Sequence, residues 1–203
     1  MFARGAAIRP VPSYAVVERG YIDAVEADLT ETEEGAEGRL DAAFRRFEAT
    51  QPALAERMNR LLSRPIDDTA LALGYFLGIA IYLAFETQFG VQGLRLRAVD
   101  ETAIRATEES ISLEEELRAA RSTEPLEVED IVAHEQPAVV AFLHEHVEAA
   151  LDVVNDDGAR SPREVDIDDV HVVYRTMLLL TLCLSHAVEP RPGAASRSGE
   201  LLA

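Results

Sequence analysis

The side chains in this sequence best suited to bind a metal or attack a substrate are five histidines and a single cysteine. His144 and Glu148 stand four residues apart, which places both on one helical face, so they form the candidate pair for a divalent metal. The run His144-Glu145-His146-Val147-Glu148 lacks the second histidine of a zinc-protease helix, and no pair of Glu-x-x-His signatures occurs. No metal and no other cofactor is therefore expected. Cys183 lies among Leu180, Leu182 and Leu184, an apolar setting that disfavours the thiolate and predicts a buried, inert thiol.

Arg175 is the odd residue of the apolar run 170–187, and a guanidinium taken out of water needs a carboxylate. Glu86, at the end of an earlier apolar run, would reach it if the two helices were antiparallel. With His186, these residues make a candidate buried polar cluster. The simpler expectation is that Arg175 sits near a helix start and extends its head into solvent.

Other catalytic patterns are missing. There is no Gly-x-Ser-x-Gly elbow and no glycine-rich dinucleotide loop, and one cysteine permits neither a Cys-x-x-Cys motif nor an internal disulfide. All 19 cations are arginine; without lysine, Schiff-base, P-loop and kinase chemistry are excluded. A net charge of −18 argues against nucleic acid, whose phosphates call for a basic face. The charge is concentrated. Residues 101–170 carry 20 acids against 5 arginines, whereas residues 1–100 carry 15 against 11. A solvated helix face accounts for such a stretch, and a docking surface for a basic protein is the functional alternative.

The elements that would carry these residues are helices, because Leu, Ala, Glu and Arg dominate the chain. Helical spacing predicts segments over 16–29, 39–50, 52–62, 69–88, 101–121, 128–133, 137–154 and 170–187, with an acidic loop over 30–38. Pro52 and Pro137 suit first helical positions, and Asp67, Asp68 and Asp100 suit N-caps. The uniformly apolar stretch from Ala70 to Phe85 is 16 residues, short of the roughly 18–20 needed to span a membrane, so it reads as a central buried helix. Within it, Gly74 and Gly78 form a notch that would admit a neighbouring helix or serve a homodimer. Residues 94–99 alternate like a strand but have no obvious partner, which favours an extended connector.

Thr50-Gln51-Pro52-Ala53-Leu54 returns as Glu135-Gln136-Pro137-Ala138-Val139, and Ile66-Asp67-Asp68 returns as Ile167-Asp168-Asp169 before a second long apolar helix. Repetition in the same order points to an internal duplication, with the Gln-Pro pairs as structural corners.

The resulting expectation is an all-α, single-domain bundle of about seven helices. It would comprise a loose or draped flexible N-terminal arm (1–14), a helical domain (15–189) with related halves near 39–88 and 126–187, and a disordered tail (190–203). Two central apolar helices would join the halves. With no secretory or membrane-spanning segment visible, the expected location is cytoplasmic. The expected function is a non-catalytic interaction or regulatory protein that meets a basic partner on the 101–170 face. The alternative is a helical enzyme or a binder of a small molecule or metal, with its site between the halves.

Overall fold

The computed structural model describes residues 7–30, 33–119, 128–152 and 166–190. Within them the chain forms eight α-helices: α1 (Arg19–Thr30), α2 (Glu33–Thr50), α3 (Pro52–Leu62), α4 (Asp68–Val91), α5 (Glu101–Ala119), α6 (Val128–Glu135), α7 (Pro137–Asp152) and α8 (Ile167–Ala187). A 3-10 turn at Ser13–Ala15 precedes them. Two short strands, β1 (Leu94–Leu96) and β2 (Val188–Pro190), complete the fold. The molecule is an all-α bundle.

Helices α4 and α8 pack against each other at the centre, and their fully buried side chains include Leu77, Ile79, Ile81, Tyr82, Phe85 and Met177. The two helices begin at the same end of the molecule. The Asp67 amide donates to Asp169 Oδ2 (2.8 Å), and the Asp166 amide donates to Asp67 Oδ2 (3.2 Å). They also finish together, because β1 follows α4, β2 follows α8, and the two strands pair antiparallel with Arg95 opposite Glu189. The strand expected to lack a partner thus finds one just beyond α8, at the edge of the segment expected to be a tail.

Asp67 caps α4 as its sequence predicts, accepting from the Thr69 and Ala70 amides at 2.8 and 2.9 Å. In α8 the cap is Asp166, which accepts from the Asp168 amide (2.9 Å), so Ile167-Asp168-Asp169 lies inside the first turn. The recurrence of Ile-Asp-Asp is therefore two residues out of register with the capping geometry. Helix α2 starts at Glu33, within the stretch expected to be an acidic loop. Glu and Ala are strong helix formers, and they extend the helix where no apolar periodicity marks it.

Three buried glutamines organise the chain between helices. Gln136 accepts from the Val17 amide (2.9 Å) and donates to the Ala15 carbonyl (2.7 Å) and to Ser185 Oγ (2.8 Å). Gln88 takes the other edge of the same extended segment, accepting from the Glu18 amide (2.8 Å) and donating to the Val16 carbonyl (2.9 Å). Gln51 does likewise at the entry to α5, donating to the Arg97 carbonyl and accepting from the Val99 amide, both at 2.9 Å. In extended backbone, the carbonyl of one residue and the amide two residues on point to the same edge, which a carboxamide matches with one acceptor and one donor. The Gln-Pro corners are thus long-range clamps, with Pro52 at the start of α3 and Gln51 reaching across to another segment.

Residues 7–14 of the segment expected to be an N-terminal arm lie against the helices. Ile8 and Val11 are buried, and the Ala7 and Val11 amides donate to Glu114 and Glu135. The Gly78 notch is filled from within the chain, since a Cβ there would lie 2.5 Å from Met58 Sδ and 3.7 Å from Met177 Cε. By length and composition both α4 and α8 would reach across a membrane, α4 being 24 residues long rather than the 16 marked by its apolar run. More than half of each apolar window is buried against the rest of the chain.

Candidate functional site

Helix α3 turns Leu54, Met58 and Leu61 into the core, while Arg57, Arg60 and Arg64 follow at three- and four-residue steps on its outer side. Across from them stand α5 and α8. The three elements enclose a cleft of about 200 Å³ lined by Arg57, Arg60, Arg64, Arg175, Glu108 and the apolar side chains of Leu61, Val172 and Leu179. Four of the thirteen described arginines meet here, against one lining carboxylate.

Three of the four are oriented by carboxylates. Arg57 pairs with Glu108. Arg60 Nε meets Glu56 at 3.0 Å, and its Nη2 lies 3.6 Å from Glu101. Arg175 binds both oxygens of Glu115 through Nε (2.9 Å) and Nη2 (3.0 Å), and Nη2 also reaches Ser112 Oγ (3.1 Å). The bond to Glu115 raises the Arg175 pKa above its ordinary value against the lowering effect of burial. Each guanidinium has five N–H donors, so these bonds fix its plane and leave donors over. Arg64 is exposed and forms no ion pair among the described residues.

The polar cluster suggested by sequence is taken apart by the direction of the helices. Because α4 and α8 start at the same end, Glu86 near the close of α4 is remote from Arg175 in the early part of α8. Glu86 instead pairs with Arg46 (2.9 Å) and accepts from Tyr82 Oη (2.8 Å). Burial is the main cause that pushes the Tyr82 hydroxyl up to about 12. His186 lies eleven residues beyond Arg175, about 16 Å along the helix, with Nε2 3.3 Å from the Pro10 carbonyl. Arg175 does not join them; its head pairs with Glu115 of α5 while remaining 43% exposed to solvent.

His144 stacks on Tyr174 of α8 and shares a 2.8 Å hydrogen bond with its hydroxyl, while Glu148 is exposed on α7. Among the described residues no three His, Cys, Asp or Glu side chains are grouped to hold a metal ion. His146 bonds the Phe142 carbonyl at 3.0 Å and lies 3.3 Å from Glu26. Cys183 is buried, which pushes its thiol up to about 11.

Part of the acidic segment is engaged in contacts within the chain, several of them at the surface. Glu101, Glu108 and Glu115 bind arginines of α3 and α8, Glu145 binds Arg19 of α1, and Glu114 and Glu135 hold the draped arm. What remains outward on α5 is a narrow stripe on which Leu113, 49% exposed, lies between Glu109 and Glu116. The sequence displays the 57–60–64 basic stripe but gives no sign of Arg175 facing it, because that arginine is more than a hundred residues away.

Set against protein families, characterised proteins and solved structures, the chain matches none of them.

Proposed function

We propose that the protein is a non-catalytic helical regulator that works by binding a basic protein partner. The observation that carries this reading is the outer stripe of α5, where an exposed Leu113 is bordered one turn away on each side by Glu109 and Glu116. An apolar contact point framed by carboxylates suits a basic surface, with the charges setting the encounter rate and the leucine supplying buried area.

Pull-downs at low and high salt test it, using wild type and a variant carrying Glu109→Gln, Leu113→Ser and Glu116→Gln. The expected result is a basic protein retained by the wild type at low salt, released at high salt and lost with the variant. Recovery of the same proteins by both forms would end the proposal.

The chain is also read here as a duplicated one. In support, Gln51 and Gln136 occupy matching corners, and each is followed by a helix, an Asp-capped apolar helix and a short strand. A second functional reading, a small-molecule binder with its site between the two sets of four helices, is favoured by the arginine-lined cleft.

A further inference from the structure

We propose that the cleft between α3, α5 and α8 binds a small phosphorylated ligand, whose phosphoryl group is gripped by Arg60, Arg64 and Arg175. In a chain of net charge −18, this cleft wall gathers four arginines; Glu56, Glu101, Glu108 and Glu115 pair with three of them, and Arg64 forms no ion pair among the described residues. Guanidinium groups already paired to carboxylates through one edge are held in plane before any ligand arrives, which cuts the ordering cost of binding. Arg175 is fixed in this way by Glu115 and Ser112, Arg60 by Glu56, and Arg57 by Glu108.

The choice of ligand follows from geometry and size. The cations approach from two directions, Arg60 and Arg64 from the end of α3 and Arg175 from α8, an arrangement that serves several oxygens of a tetrahedral group. A flat carboxylate is satisfied by a single bidentate arginine, as Glu115 already is. A volume of about 200 Å³ lies below the roughly 300 Å³ at which drug-sized ligand sites begin, so a nucleotide is too large and a phosphate or short phosphomonoester fits. Leu61, Val172 and Leu179 would receive the carbon part of an ester. A narrow crevice lined by Leu54, Met58, Met177 and Leu180 continues inward from Arg57, Thr176 and Leu179, and its methionines can adapt to a ligand.

The test is calorimetric titration of the full-length protein with inorganic phosphate and, separately, with glycerol 3-phosphate. Malonate and potassium chloride serve as controls at matched ionic strength, and thermal unfolding is recorded alongside. Both phosphates should bind and raise the melting temperature beyond chloride, with malonate weaker; the tighter of the two shows whether free phosphate or an ester is the source. Arg64→Gln should weaken phosphate binding about tenfold, the loss expected for one charge-assisted hydrogen bond. Arg105→Gln, on the exposed side of α5, should leave it unchanged. Because Arg64 is exposed, its replacement reads binding with little risk to folding. No response beyond chloride, malonate binding as tightly as the phosphates, or equal effects of the two variants would overturn the proposal. Failure of the α5 stripe to hold a partner would leave it untouched.

Discussion

Gln136 is buried without any solvent exposure and satisfies two backbone groups and a serine hydroxyl at once. Replacing it by leucine would leave the Val17 amide and the Ala15 carbonyl in the core without partners. Such orphaned groups cost about 1–3 kcal/mol each, so Gln136→Leu is expected to lower stability by about 3 kcal/mol in urea unfolding. Gln51→Leu, which strands the Val99 amide and the Arg97 carbonyl, should behave alike. The sequence shows that these glutamines recur before prolines; it does not show what they hold. A side chain that bonds a segment 119 residues away leaves no local pattern, whereas the proline beside it does. The same limit applies to Arg175. Its apolar surroundings advertise that it needs a carboxylate, but the choice of Glu115 over Glu86 depends on the direction in which two helices run.

Helices were the most legible level, because their periodicity and caps are written in neighbouring residues. The spans of α3, α5 and α8 follow from Pro52, Asp100 and the apolar stripes. What periodicity missed is instructive. Val16 and Val17 carry on the apolar spacing of α1, yet they are extended because Gln88 and Gln136 claim their backbone groups. Glu114 shares the buried stripe of α5 with Ile104 and Ile111, since its carboxylate takes the Ala7 amide at 2.5 Å. At the shared start of α4 and α8, Asp67 has a double duty, capping one helix and accepting an amide at the head of the other. Asp67→Ala is therefore expected to cost about 1–2 kcal/mol, at the upper part of the range for a lost N-cap. Its exposed neighbour Asp68 should tolerate alanine within about 0.5 kcal/mol. Comparison of urea midpoints for the two variants checks this.

Across the whole molecule, the excess of acid is partly a fastening. Carboxylates of the later helices hold arginines of the earlier ones, and the bond from Arg19 holds the Glu145 pKa below its ordinary range. The bond from Arg95 does the same for Glu189, which ties β1 to β2. A carboxyl whose pKa is depressed in the folded state adds stability that is present above its unfolded pKa, near 4.3. That contribution is lost as pH falls through the folded value. The protein is accordingly expected to be less resistant to urea at pH 3 than at pH 7, and Glu145→Gln should narrow the difference. An unchanged pH dependence in that variant would deny Glu145 this role. The reciprocal clamps also bear on the order in which the chain is made. The segment at residues 15–18 is synthesised well before one of its two holders, because Gln136 lies 119 residues beyond Val17. One edge of this segment must wait for a residue made much later, and a nascent chain cut short before Gln136 has Gln88 alone to hold it.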